Sequence, residues 1–181
     1  MKSIITIFCI CFCLSTVNSQ DRYFTKSGAI NFFSKAPLED ITADNNQVLS
    51  IIDASNSKMA ISILMKSFLF DKALMQEHFN ENYIESDKYP KATFKGEILD
   101  FNTLSEDLKE FKVKGVINIH GVSKDIVVIA TMNKVNNTIT AVGNFIINLE
   151  DFEVEIPAVV AKNIAKNIKV TFNFKHTPFK K

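Results

Sequence analysis

The chain has 181 residues, with 21 Lys and Arg against 20 Asp and Glu, a formal net charge of +1. A protein that neutralises a phosphate backbone needs a basic footprint, so this balance excludes a dedicated nucleic-acid binder. The length suits one domain around one sizeable core.

The N-terminus reads as a targeting segment. Lys2 supplies a charged start, and Ile4 to Leu14 is an apolar run too short to span a bilayer comfortably. Val17-Asn18-Ser19 then offers a small-residue cleavage site. The pattern predicts a signal peptide over residues 1–19 and an exported domain over 20–181, periplasmic or secreted, with no stable membrane insertion after cleavage. Cys9, Cys11 and Cys13 all fall in the apolar run and lack the preceding small residues of a lipoprotein signal, so no lipid anchor is expected. The mature chain then has no disulfide, no thiol nucleophile and no cysteine metal site. Loss of Lys2 leaves basic and acidic residues equal, at 20 each.

The remaining chain is mostly strand-like. Ala29, Asn31 and Phe33 alternate with Ile30 and Phe32, so the first strand carries apolar side chains on both faces. Asp40 to Gln47 reads as a polar loop. Val48, Ser50 and Ile52 alternate with Leu49 and Ile51; Asp53 to Ser57 is a turn cluster, and Met59 to Ile63 alternates again, which predicts a hairpin. In the stretch Phe70 to Ile98, Ala73, Leu74, His78, Phe79 and Tyr83 recur near helical spacing, which predicts one packed helix near residues 71–85. Asp71 is its expected N-cap, with Leu74 and Phe79 seating it on the core. Pro90 ends any helix and biases Tyr89 to an extended conformation, so a strand follows from Ala92. Phe101 to Asp107 reads as a polar connection. Strands are expected over Val113–Ile119, Ile126–Met132, Ile139–Ile147 and Ile168–Phe174, with turns at His120-Gly121 and Asn136-Asn137. Short turns between successive strands predict antiparallel pairing, and one apolar face per strand predicts a barrel or a sandwich.

Three stretches carry a resemblance. Leu74-Met75-Gln76-Glu77-His78-Phe79, then Asn82-Tyr83, then Ser86 to Phe94 (SDKYPKATF), resemble one motif of the YceI-like, polyisoprenoid-binding family. Gly115 to Lys124 (GVINIHGVSK) resembles its second motif, and Leu149 to Phe152 with Ile156-Pro157 is a looser match. The resemblance runs from about Phe24 to Phe174. It implies a mainly β fold, an antiparallel lipocalin-like β-barrel of about eight strands with a helix packed beside it. It also implies a polyprenyl ligand, such as an isoprenoid quinone or a polyprenyl phosphate, held for transport or storage.

The residues themselves point to binding rather than catalysis. There is no Gly-x-Ser-x-Gly elbow and no glycine-rich phosphate cradle. Glu77 and His78 are adjacent on a helix and do not face each other. His78, His120 and His176 lack paired ligand spacing, so no metal or other cofactor is expected. The first two lie in the family motifs and draw more interest than His176. The 16 Phe are more informative, because bulky barrel walls can leave a long apolar cavity. Alternation nominates Phe33, Ile61, Ile63, Leu74, Phe79, Phe94, Ile117, Ile119, Phe145, Ile147 and Phe172 as cavity residues. His78, Tyr83, Tyr89, Lys91, His120 and Lys124 are candidates for a mouth that meets a headgroup. A slip of one residue in any strand would invert its assignment. Two other readings stay open: a stress-response or structural barrel with a protein partner, and a small hydrolase. The oligomeric state is also open, a homodimer included.

Overall fold

The computed structural model describes residues 22–35, 40–156 and 165–179. The expected signal peptide and Pro157 of the third motif lie outside the described residues. Among the described residues nine strands form one antiparallel sheet: β1 (Arg22–Ser34), β2 (Ile41–Asp53), β3 (Lys58–Leu64), β4 (Leu69–Phe70), β5 (Lys91–Ile98), β6 (Lys109–Ile119), β7 (Val122–Val135), β8 (Thr138–Asn148) and β9 (Asn167–Pro178). Their order is β1-β9-β8-β7-β6-β5-β3-β2-β4, and β1 also pairs with β2. That last pairing closes eight strands into a barrel and leaves β4 as a two-residue addition on β2. A closed barrel has no exposed edge to pair with another chain.

The turns follow from local chemistry. His120 and Gly121 (φ 52° and 81°) join β6 to β7, and Asn136 and Asn137 (φ 47° and 60°) join β7 to β8. Two consecutive left-handed residues give the turn whose twist matches a hairpin, and Asn and Gly tolerate it best. In the β2–β3 turn, the Asp53 carboxylate accepts from the Ser55 hydroxyl and Ser55 N–H, at 2.5 and 3.2 Å. The Ser55 hydroxyl is the main reason the Asp53 carboxyl sits below its ordinary pKa, with Arg22 adding to it.

Two expectations need correction. Asp40 to Gln47 is not a loop: from Ile41 onward it is the first half of β2, paired with β1 from Ile30↔Asn45 to Ser34↔Ile41. Its alternation is masked because Asn45, a polar residue, points inward. Asn45 is buried, donates from Nδ2 to the Leu64 carbonyl at 3.0 Å and accepts from Gln47 N–H at 2.9 Å, so its burial leaves these groups satisfied. The helix is also shorter than expected. α1 covers Ala73–His78, begins after Lys72 without a side-chain cap, and widens into a π-helical turn over Phe79–Tyr83. Asp71 is not the cap. Asn80 Nδ2 donates to the Gln76 carbonyl at 2.9 Å, and Ile84 N–H reaches back five residues to Phe79 O at 3.0 Å. The side-chain amide thus takes a bond of the regular helical ladder.

The barrel interior is filled at one end. Val48, Ile52, Ile98, Met132, Ile139 and Phe174 are almost fully buried there. Gly96 and Gly115 face each other across β5 and β6, and a Cβ on either would collide with the other strand's backbone carbonyl. This close approach leaves room for glycine only.

His176 sits in the filled end with no exposed surface. Nδ1 faces the Ile139 carbonyl at 3.3 Å and Nε2 faces the Ser50 hydroxyl at 2.8 Å. A carbonyl can only accept, so Nδ1–H donates to Ile139, and Nε2 accepts from Ser50 Oγ–H. Both nitrogens are satisfied in the neutral ring, and burial pushes its pKa down to about 4. In the unfolded chain a histidine titrates at about 6.5. Protons therefore bind the unfolded state preferentially between these values, and stability falls as pH drops through that window. The expected loss is on the order of 3 kcal/mol by about pH 4. Urea unfolding from pH 7 to pH 4 checks this. His176→Gln should flatten the curve by that amount, leaving the contribution of the other titratable groups; equal slopes in both proteins would remove His176 as the cause.

Candidate functional site: an apolar cavity at the open end of the barrel

The other end of the barrel is hollow. A cavity of about 390 Å³ lies between the ends of β1, β3, β6 and β8, the starts of β2, β5 and β9, the α1 segment, and a 3-10 turn over Leu149–Phe152. The volume is within the usual range for small-molecule sites. Its wall is almost wholly apolar: aliphatic side chains such as Ile63, Ile117, Ile119, Ile147, Ile168 and Val170 on the barrel side, and aromatic ones on the cover side.

The cover is built by segment 65–84. Met65 and Phe68 turn the chain out of β3, and Phe70 places the next ring. Phe32, Phe68, Phe70 and Phe79 then form one cluster. Phe32 lies 5.3, 5.6 and 5.6 Å from Phe68, Phe70 and Phe79, and Phe79 lies 5.7 and 5.0 Å from Phe68 and Phe70. These are ordinary edge-on and offset separations. The rings tie β1 to the cover segment without a hydrogen bond. Among the described residues the polar members of the lining are Ser34, His78 and Tyr83. Ser34 Oγ accepts from Ala165 N–H at 3.3 Å. Burial raises the Tyr83 phenol pKa, so it stays a neutral hydrogen-bonding group.

The nominated residues divide into two groups. Ile63, His78, Phe79, Ile117, Ile119, Phe145 and Ile147 line the cavity, and so does Tyr83. The others do not, each for a local reason. Phe33 takes the outer face of β1. The strand is apolar on both faces, and its register is decided by Asn31, which points outward to Thr42 and Asp44 at 3.1 and 2.8 Å. Ile30, Phe32 and Ser34 therefore turn inward. Leu74 is 61% exposed. Phe79 and Tyr83 face the barrel, so Met75, four residues before Phe79, goes with them, and Leu74 is rotated away. Ile61 packs against the core alongside Met59 rather than on the cavity. The rings of Phe94 and Phe172 lie against the barrel wall over Gly96 and Gly143, where a Cβ would touch them at 2.6 Å. Phe172 also stacks on Phe174 at 5.4 Å. Lys91 and Lys124 are exposed.

Tyr89 and His120 stand outside the lining, at a contact between three segments. The His120 ring, packed edge-on to Tyr89 at 4.4 Å, faces Glu85 Oε2 at 3.0 Å and the Phe152 carbonyl at 3.3 Å. Gly121 lies beneath the Tyr89 ring.

Sequence reasoning missed Ile30, Phe32, Met65, Phe68, Phe70 and Phe152 among others. The signal for Phe68 and Phe70 was the density of Phe before the helix. The signal for Ile168 and Val170 was already in the β9 alternation, from which only Phe172 was drawn.

A family model described as a YceI-like domain matches residues 23–176. The chain belongs to the YceI-like family. Solved structures agree on the fold of this YceI-like protein. It is similar to a polyisoprenoid-binding domain from Saccharophagus degradans implicated in plant cell wall breakdown. That match has a TM-score of 0.77 and 15% identity, covering 88% of this chain and 99% of the other. It is also similar to BcnA of Burkholderia cenocepacia (TM-score 0.69, 16% identity, 83% and 96% covered). A Campylobacter jejuni YceI protein, a mutant with a monobromobimane guest, matches at TM-score 0.60 and 17% identity, with 81% and 90% covered. Among curated proteins, none matches this sequence. The lipocalin-like barrel expected from the motifs is the fold observed.

The two helix positions make a test of the cover. Phe79→Ala removes a ring that touches three others and should cost on the order of 2 kcal/mol. Leu74→Ala removes an exposed side chain and should change stability by less than about 0.5 kcal/mol. Urea unfolding of both variants beside the parent reads the difference.

Proposed function

We propose that this YceI-like protein is an exported binding protein that holds an isoprenoid chain, or a similarly long amphiphile, in the barrel cavity, as a carrier or store rather than as an enzyme. The observation that carries the reading is the half-filled barrel. One end is packed by its own side chains, while the other leaves about 390 Å³ lined by aliphatic and aromatic groups. A ligand of methyl and methylene groups gains about 0.8 kcal/mol for each methylene taken from water, so a few five-carbon units supply affinity without charge recognition. Its polar head meets Ser34, His78 or Tyr83, the hydrogen-bonding groups of the described lining. A quinone or another head that accepts hydrogen bonds fits these groups; a prenyl phosphate would draw its cations from outside them. Two further points support the reading: the family to which the chain belongs, and a structural relative described as a polyisoprenoid-binding domain. The charged start and apolar run at the N-terminus support the export part of the reading, to the periplasm or outside the cell.

Native mass spectrometry of protein purified gently from its own host tests the reading. A stoichiometric extra mass that extracts into organic solvent as a prenyl lipid is the expected result. A bare mass, unchanged by incubation with isoprenoid quinones and polyprenyl phosphates, would falsify it.

Cavity-filling gives a second, independent check. Ile117→Trp adds volume inside the cavity and should weaken binding of a prenyl quinone at least about ten-fold, the consequence of losing room for a few methylenes. Phe33→Ala on the outer face should leave that affinity unchanged. Fluorescence titration of the two variants separates the cavity from the barrel exterior.

A further inference from the structure

Three segments meet at His120, and each places a cavity residue next to the contact. Ile84 lines the cavity and precedes Glu85; Ile119 lines it and precedes His120; Phe152 lines it and offers its own carbonyl. Glu85, His120 and Glu153 all adopt left-handed backbone, with φ of 46°, 52° and 54°. This is the backbone of hairpin turns and helix ends, so each of the three segments turns sharply at the contact. The contact is thus a small, constrained junction at the cavity rim. It joins the chain leaving the π-helical turn, the β6–β7 turn and the 3-10 turn after β8.

The chemistry of the junction is unusual in one respect. Both partners of the His120 ring are acceptors: a carboxylate oxygen at Nε2 and a backbone carbonyl at Nδ1. A neutral imidazole has one N–H and can satisfy one of them. An imidazolium has two and satisfies both. His176 shows the contrast, since its two partners are a hydroxyl and a carbonyl and the neutral ring serves both.

We propose that His120 is a proton-operated clasp on the cavity: charged, it ties the cover segment to the 3-10 turn, and neutral, it releases one of them and speeds ligand exchange. The neutral ring keeps its proton toward one acceptor and turns a lone pair to the other. Either the Phe152 carbonyl loses its donor, or the Glu85 carboxylate meets a lone pair and swings out. Both changes loosen the rim beside Ile84 and Phe152. Histidine changes charge between about pH 5 and pH 8, so the clasp responds to mild acidity.

The neighbouring charges are few. Glu85 is 3.9 Å from the Lys88 ammonium, which also lies over the Tyr89 ring at 4.9 Å. Tyr89 and then Glu85 raise the Lys88 pKa, so that ammonium stays charged throughout this range. On the 3-10 turn Glu150 is paired with Lys166 at 2.5 Å, and Asp151 and Glu153 are exposed. On β7, Lys124 and Asp125 are exposed. Glu85 is thus the carboxylate in contact with the ring among the described residues.

The effect on exchange rests on the lipid-binding reading; the protonation of the ring does not, so the two are tested separately. Nitrogen NMR of the histidine rings should show both His120 nitrogens protonated at the acid end of a titration and one proton lost as the pH rises. Glu85→Gln, which removes the facing charge, should move that transition to lower pH. A His120 ring that stays in one neutral tautomer at every pH at which the protein remains folded overturns the clasp. For exchange, the probe is N-phenyl-1-naphthylamine, an uncharged aromatic ligand, followed by stopped-flow dilution. Release should be about five-fold faster above the ring's transition than below it, the factor expected for one net hydrogen bond, and independent of pH in His120→Gln. Bound probe whose release does not depend on pH in the parent protein overturns the clasp and leaves the cavity reading standing. A probe that does not bind at all counts against the cavity reading. The clasp is then decided by the ring spectra, together with amide exchange at residues 84–89, which should be faster at pH 8 after correction for intrinsic rates.

Discussion

The pairing of β1 with β2 is the constraint on which the molecule depends. It converts an eight-strand sheet into a closed cylinder, because β1 is then bonded on both sides, to β2 and to β9. Closure gives every strand an inside and an outside and removes open edges. The pairing is not a simple hairpin continuation. It shifts register at Gly28, where a Cβ would strike the Phe174 ring. A β-bulge of this kind bends the strand and re-aims its side chains. Here it lets Phe174 fill the closed end, while Ile30, Phe32 and Ser34 face the open one.

Filling is unequal along the barrel axis, and that inequality makes the site. At the packed end, side chains from all around the wall meet in the centre, and the buried His176–Ser50 pair is accommodated because each polar atom has a partner. At the open end, the walls are of similar residues but the centre is empty. Phe94 and Phe172, buried on the inner face, reach toward Gly96 and Gly143 and stay out of the cavity lining. The cover is made from what the barrel does not use: a short helix with no buried residue of its own, a π-helical turn, and four phenylalanine rings that hold it to β1. Apart from the two-residue pairing of β4 with β2, such a cover is held by side-chain contact, and segments with so little backbone ladder open most easily.

The rim joins the two descriptions. Turn residues of the strands and the segment after the helix converge on His120, which is a hairpin residue by backbone and an ionisable link by side chain. A hairpin turn needs two left-handed residues, and Asn-Gly would serve that purpose. Histidine adds hydrogen-bonding capacity in two directions, which is what a junction of three segments requires.

The sequence by itself determined most of the strands from their alternation, though not the first half of β2, the turns from Asn-Asn, His-Gly and the Asp-Ser cluster, and the family from two short motifs. These are local properties: period two, backbone tolerance and composition act within a few residues. What it left undecided was which face of a doubly apolar strand turns inward, as at Phe32 and Phe33, because that depends on Asn31 meeting Thr42 and Asp44 across a strand boundary. Nor could it separate Leu74 from Met75, which differ only by the rotation of a helix that is seated by distant rings. The histidines show the same division most clearly. His176 reads as an ordinary terminal residue and is the most deeply buried of the three, while His120 reads as a headgroup contact and is a link between segments 32 and 35 residues away along the chain. Only closure of the barrel brings those partners together, since contacts at such separations are fixed by the packing of the whole and not by any local preference.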